Sequence, residues 1–385
     1  MAYDVIVLGA GVIGCSVAYH LATLGAGHIG VLERAPSLGS GSTGKATGGF
    51  RCQYSTAINV RLSLMAREKL LRFREETGVD PEYRPYGYLF VASTESQIQT
   101  LRDALAVQHE AGLPESRAVD IEEIRTLNPA LYTDDLIGGT FCPLDGFMRP
   151  IKILQGYYEA ARRLGVAFRF GVGQAQVWRE GDRVRGVVLP DGERIEAGAV
   201  VNAAGAWAGI VAQQAGVNLP VQPLKRQVAI TYPFAELPET MPMSVDVNDG
   251  FHLRVRDGRV LLLYPHAVHN EQTFETDFER AWLDAVQQRA RHRVPCLRNA
   301  RIDIENCWAG LYEMSPDKHV ILGEAAELSG FYLVNGSSGH GVMHSPALGE
   351  LLARLILRME LPFDITPLRP TRFAEGALNR DTGVL

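Results

Sequence analysis

The sequence is short of several features that declare a function early. It has five cysteines in 385 residues, at 15, 52, 142, 296 and 307, with no C-x-x-C pair among them. Such wide spacing gives no metal framework and suits reduced thiols, which points to a cytoplasmic setting. Lysine is scarce: five residues, at 45, 69, 152, 225 and 318, leaving 33 of the 38 basic residues as arginine. A GC-rich genome is the bland cause, and no partner follows from it. The formal net charge of −6 argues against a nucleic-acid footprint. No low-complexity tract, long charge block or internal repeat is present. With 46% hydrophobic and 21% charged residues, the composition is that of an ordinary soluble globular protein, long enough for two domains.

A further absence is local. No Asp, Glu, Lys or Arg occurs between Asp4 and Glu33, so this stretch could pass for a signal peptide or a membrane span. Asp4 sits where a basic n-region belongs, and Ser16, His20, Thr23 and six glycines break the continuous apolar character that a span needs. The stretch reads instead as the interior of a βαβ unit.

What is present there is specific. Val5-Ile6-Val7-Leu8 reads as a buried strand, Gly9-Ala10-Gly11-Val12-Ile13-Gly14 as the turn into a helix, and Glu33 as the acid closing a second strand, Ile29–Leu32. The first glycine permits a tight turn, the second lets backbone approach a pyrophosphate, and the third lets helix and strand pack closely. The helix N-terminus then faces the negative charge, and the acid accepts from a ribose. By itself this motif serves NAD as well as FAD.

Downstream, helical spacing predicts a helix after Ser55-Thr56, carrying Ile58, Leu62, Ala66, Leu70 and Phe73 and stopped by Gly78. A strand is expected at Tyr88–Ala92 and helices at about Glu95–Ala111 and from Pro150 to Gly165. The strands Val166–Phe170, Gln174–Arg179, Val184–Leu189 and Glu193–Glu196, separated by turns such as Gly181-Asp182 and Asp191-Gly192, read as a β-meander. A buried strand, Ala199–Asn202, follows. Val228–Tyr232 and Val260–Tyr264 read as strands and Glu275–Arg293 as a helix. The strand Phe331–Val334 enters the loop 335–341 and then a helix with Ser345 as N-cap and Pro346 in its first turn. The expected fold class is α/β with an α+β substrate part: a Rossmann-like dinucleotide domain with a meander, plus a discontinuous mixed-sheet substrate domain. The expected division is 1–80, 146–207 and 306–385 for the cofactor, and 81–145 and 208–305 for the substrate.

Four segments line up in order: Gly9–Gly14 with Glu33 and Arg34; Gly39-Ser40-Gly41-Ser42-Thr43-Gly44-Lys45-Ala46-Thr47-Gly48-Gly49; Val201-Asn202-Ala203-Ala204-Gly205-Ala206-Trp207; and Gly336-Ser337-Ser338-Gly339-His340-Gly341, followed by Val342 and Met343. Over nearly the whole chain this resembles the FAD-dependent family of D-amino acid oxidase and glycine/sarcosine oxidase. Within it the chain is most similar to the sarcosine oxidase and dimethylglycine dehydrogenase branch and to the β subunits of heteromeric sarcosine oxidase and proline dehydrogenase. The glycine loop offers donors with little bulk, as close approach to pyrophosphate and isoalloxazine requires; a flexible surface loop is the rival reading. The late loop opens a helix whose dipole would favour the charge that collects at the flavin N1/C2=O edge on reduction.

The resemblance implies site residues. Arg51 falls where the family binds the substrate carboxylate, in a bidentate pair that orients the amine carbon over flavin N5; a structural arginine is the alternative. His340 is placed at the flavin edge, where a merely packed histidine is as good a reading. Tyr264, His252, Tyr312 and Lys225 are weaker candidates for the substrate face, which packing explains equally well. Some relatives attach FAD covalently through a cysteine. Here Gly310 stands in that place, Cys307 is too far upstream, and Ser42-Thr43-Gly44-Lys45 lacks the histidine of the monomeric oxidases, so non-covalent FAD is expected. Met343 replaces a carboxylate-holding lysine, and Arg259–Tyr264 lacks the lysine that promotes oxygen reduction. Both departures favour a dehydrogenase over an oxidase. The implied reaction is oxidation of a small secondary or tertiary amino acid (sarcosine, dimethylglycine or proline type) by hydride-equivalent transfer to FAD, giving an imine that hydrolyses. The implied partners are that substrate and an electron acceptor or partner subunit, without nucleic acid or a membrane span. The alternatives are a D-amino acid or 2-hydroxy acid substrate, an NAD-dependent dehydrogenase, and a non-catalytic flavoprotein assembly factor.

Overall fold

The computed structural model describes residues 2–265 and 273–380. Two eight-stranded sheets organise it. The first is built around the opening strand, Tyr3–Leu8, which pairs in parallel with Ile29–Glu33 on one side and Arg194–Asn202 on the other. Ala167–Phe170 extends it in parallel beyond Ile29–Glu33, and Phe331–Asn335 beyond Arg194–Asn202. Its strands are near-continuous apolar runs because both faces are covered: Ile6, Val7, Val31 and Val200 are fully buried.

The meander differs from expectation in two respects. Its expected first strand is the edge of the parallel sheet, because Gly30–Glu33 takes its pairing. Its last strand does not stop at Glu196. Residues 194–202 form one strand, whose first half pairs antiparallel with Arg183–Val188 and whose second half pairs parallel with Tyr3–Leu8. Within it Gly198 allows a close approach: a Cβ there would lie 3.1 Å from the Asp4 carbonyl.

The second sheet runs Trp308–Met314, Gln222–Ile230, Arg259–Leu263, His252–Arg256, Met243–Asp246, Tyr88–Ala92, Gly138–Cys142 and Arg117–Val119. Only Met243–Asp246 and Tyr88–Ala92 pair in parallel. Trp308–Met314 lies in a stretch expected to belong with the cofactor part, yet it pairs along Gln222–Ile230 in this sheet. The expected helix at Glu275–Arg293 begins only at Ala281. The preceding turn is spent on tertiary contacts, with the Glu279 amide donating to Gln227 Oε1 at 2.6 Å and the Glu279 carboxylate pairing with Lys225.

The helix Val12–Thr23 packs on the first sheet against the helix Gly341–Ile356. Their approach depends on Gly349, where a Cβ would lie 2.1 Å from Ser16 Oγ, and Ser16 Oγ donates to the Ser345 carbonyl at 2.7 Å. The late helix starts at Gly341, four residues before the expected cap. Pro346 is therefore inside it and removes one helical donor; the carbonyl of Val342 accepts instead from Ser345 Oγ at 2.8 Å. No helix among the described residues is long and apolar enough to cross a membrane.

Candidate active site

A cavity of about 590 Å³ opens at the carboxyl ends of the parallel strands and continues against the second sheet. At its first end the three glycines play different parts. Gly9 adopts φ +106°, and a Cβ there would stand 2.5 Å from the Ala203 carbonyl; at Gly14 it would stand 1.9 Å from the Gly9 carbonyl. Those two are required by protein packing, and Gly14 does not line the cavity. Gly11 does, and a Cβ on it would meet only Thr43 Oγ1, at 3.6 Å. Val12 and Ile13 follow at the wall. The Val12 amide donates to Thr43 Oγ1 at 3.1 Å, which ties the helix start to the glycine loop. Glu33 is held rigidly, one carboxylate oxygen accepting from the Ala10 amide and the other from the Ala35 amide, both at 2.8 Å. Beside it the Arg34 guanidinium lies 4.3 Å over the Trp207 ring. Ala203, Ala204 and Gly205 complete this wall.

The loop at 39–49 is a built wall rather than a flexible surface loop. Ser42–Lys45 is one short helical turn, and the Lys45 carbonyl accepts from Trp308 Nε1 at 2.8 Å. Buried Arg254 donates to the carbonyls of Thr47 (2.9 Å) and Gly48 (3.2 Å). A Cβ on Gly49 would collide with the Tyr88 hydroxyl at 2.0 Å, and one on Gly310 would lie 3.0 Å from Lys45 Cβ. Ser42, Thr43, Lys45, Ala46, Thr47, Gly48, Gly49 and Gly310 all line the cavity. Burial lowers the pKa of the Lys45 amine.

At the other end lies Arg51, 5% exposed. It donates to the Gln53 carbonyl at 3.0 Å and meets His340 Nε2 at 3.1 Å, with its guanidinium 4.0 Å over the Tyr54 ring. A guanidinium cannot accept, so His340 Nε2 is the acceptor and the imidazole is neutral. Burial first, then Arg51 and His344, holds the His340 pKa well below its usual value. Behind Arg51, fully buried Asp145 accepts from the Cys52 amide at 2.5 Å and from Gln53 Nε2 at 2.9 Å. Burial pushes its pKa up to about 6 against those hydrogen bonds and the Arg51 charge.

The remaining candidates divide. His252 lines the cavity and donates from Nδ1 to the Gly250 carbonyl at 2.7 Å; burial, with Arg51 and Arg226 adding to it, takes its pKa to about 4. Tyr264 lines the cavity with its pKa raised, by burial and then by Asp249. Tyr312 lies under Gly339, whose Cβ would stand 2.6 Å from the ring. Lys225 does not line the cavity and pairs with Glu279, whereas its neighbour Arg226 does line it. Gly339, Gly341, Val342 and Met343 form the wall at the start of the late helix, and Tyr54 Oη donates to Met343 Sδ at 3.1 Å. Sequence reasoning missed Tyr54, Asp145, Arg226 and Arg254; none stands in a motif.

Two helix N-termini, a fixed acid and a buried arginine–histidine pair thus share one cavity. The family described as FAD dependent oxidoreductase, DAO, matches residues 4–355, and the chain belongs to that family. Rat mitochondrial dimethylglycine dehydrogenase is 28% identical over 400 residues, covering 98% of this chain and 46% of that protein. Human mitochondrial sarcosine dehydrogenase is 30% identical over 369 residues, covering 92% and 39%. The chain thus spans less than half of either relative's length. The crystal structure of L-proline dehydrogenase from P. horikoshii superposes with a TM-score of 0.91 at 27% identity, covering 98% of this chain and 99% of that one. The bare Gly11, the fixed Glu33 and the glycine-lined wall fit the FAD of that family.

Proposed function

We propose that this chain oxidises a small secondary or tertiary amino acid, of the sarcosine, dimethylglycine or proline type, and acts as a dehydrogenase. The observation that carries the proposal is the buried Arg51 held by a neutral His340 at the cavity wall. The substrate carboxylate docks on the buried Arg51 guanidinium in a charge-assisted contact. Neutral His340 and His252 add no positive charge that would disfavour a neighbouring cationic intermediate. The amine enters uncharged, and the imine formed from it is hydrolysed by water. FAD, when bound, supplies the two-electron acceptor. The names of the relatives support this substrate class.

In this reading the first sheet holds the cofactor and the second faces the substrate. Gly9–Gly14, Glu33 and Trp207 hold the adenosine and pyrophosphate side. The 42–49 loop, Gly310 and the 339–343 segment hold the flavin side. The cofactor is bound without a covalent link: no thiol stands at Gly310, and Cys307 Sγ donates to the Asp303 carbonyl at 3.4 Å, off the cavity wall. Met343, engaged by Tyr54, and the lysine-free strand Arg259–Leu263 favour electron delivery to an acceptor or partner subunit over oxygen. The test is anaerobic mixing of the purified flavoprotein with a panel of N-methyl amino acids and proline, repeated with oxygen. Flavin bleaching by at least one member, with slow reoxidation by oxygen, is expected. No bleaching by any member would overturn the reading.

A further inference from the structure

We propose that Glu313 and Ser337 form a hydrogen-bonding pair for FAD itself, Glu313 Oε2 and Ser337 Oγ meeting polar atoms of its ribityl chain or ring edge. Glu313 stands on the strand Trp308–Met314 and lines the cavity. It is fastened to the late loop from two sides: its Oε1 accepts from the Ser337 amide at 3.3 Å, and its main-chain carbonyl accepts from the Ser338 amide at 2.9 Å. Its other carboxyl oxygen, Oε2, is buried and has no hydrogen-bond partner. Ser337, 3% exposed, also lines the cavity. Its hydroxyl is near enough to influence the Glu313 carboxyl, but it reaches hydrogen-bond geometry with no neighbour.

Two orphaned polar atoms on one wall are costly unless something meets them, since a buried polar group left unsatisfied keeps its full desolvation penalty. Their position indicates what meets them. A Cβ on Gly341 would lie 3.3 Å from both Ser337 Cβ and Ile13 Cδ1. The pair therefore sits at the junction of the two helix N-termini, on the cofactor's side of the cavity. Burial pushes the Glu313 carboxyl up to about 7, although the hydrogen bonds from Ser337 and Gly336 oppose it. A neutral acid can donate where a carboxylate cannot. FAD carries uncharged acceptors on its ribityl chain and ring carbonyls, and a carboxylic acid beside a hydroxyl suits these better than it suits a phosphate. The inference rests on the cofactor being FAD and not on the amino-acid substrate.

The test is titration of cofactor-stripped protein with FAD, followed by flavin fluorescence, alongside the melting temperature of the stripped protein. Glu313→Leu should raise the Kd for FAD about tenfold or more, Glu313→Gln should stay within about threefold, and Ser337→Ala should weaken binding in the same direction. A Leu variant that folds and binds FAD within about twofold of the parent would overturn the proposal. So would a Gln variant as weak as the Leu variant. If Glu313→Leu does not fold, Ser337→Ala decides, and an unchanged Kd there overturns it. Binding is read without turnover, so failure of the amine-oxidation reading leaves the result intact.

Discussion

Arg51 and His340, 289 positions apart in sequence, meet with Nη2 3.1 Å from Nε2. The contact fixes both partners. It commits the imidazole to the tautomer with its proton on Nδ1, and it points one edge of the guanidinium along the cavity wall.

Arg51→Met should therefore do two things. It should raise KM for carboxylate substrates by about ten- to a hundredfold, the worth of a charge-assisted pair in a buried site. It should also raise the pKa of His340, since a neighbouring positive charge is gone. Steady-state kinetics checks the first and the imidazole proton resonances across pH check the second. An unchanged KM would remove Arg51 from substrate binding.

Acid should destabilise the fold before general unfolding sets in. His20, His252 and His344 are held at about 3, 4 and 3 by burial, below the usual 6.5. Below pH 6.5 the unfolded chain takes up protons that these sites refuse. Their stability is thus fully present above 6.5 and is lost as pH falls toward 4. Asp145, raised to about 6, works the other way and offsets part of the loss. The melting temperature should fall between pH 7 and pH 4. His20→Leu should flatten that slope; an equally steep slope in the variant would contradict the assignment.

The helix pair should not tolerate a side chain at its crossing. Gly349→Ala places a Cβ 2.1 Å from Ser16 Oγ and 2.7 Å from the Ser16 backbone carbonyl carbon. Overpacking of this kind costs about 1–3 kcal/mol, read as a lower urea midpoint. Because backbone also blocks the space, Ser16→Ala should not restore stability; full restoration would show that only the hydroxyl was in the way.

Denaturation in acid should release all the flavin into the supernatant. Gly310 carries no thiol, and even a Cβ there would press on Lys45 at 3.0 Å. Yellow colour retained in the washed precipitate would indicate a covalent link and contradict this expectation.

The opening strand, turn and helix were legible because local chemistry specifies them: Gly9 and Gly14 stand where close strand–helix packing and a turn require glycine, and Glu33 closes the second strand. The late helix was misplaced because Ser345-Pro346 mimics a start, whereas the Ser345 hydroxyl in fact repairs the bond that Pro346 removes. Lys225 was read as a candidate for the substrate face and Arg226 was not considered, because polarity alone does not say which of two adjacent charged residues lines the cavity. Asp145 and Arg254 act across 92 and 207 positions respectively, so no window of sequence holds both them and what they fix. Positions of this kind become readable only after the sheets have brought distant segments together.

The Ser16–Gly349 crossing also has a meaning for synthesis. The ribosome delivers the cofactor-turning helix more than 300 residues before the helix that completes its seat. Until then the nascent chain carries a half-made nucleotide cleft with an uncovered apolar flank, open to chaperones and to aggregation. Closure of the cleft thus waits for the late helix, however early its first strand and turn are made.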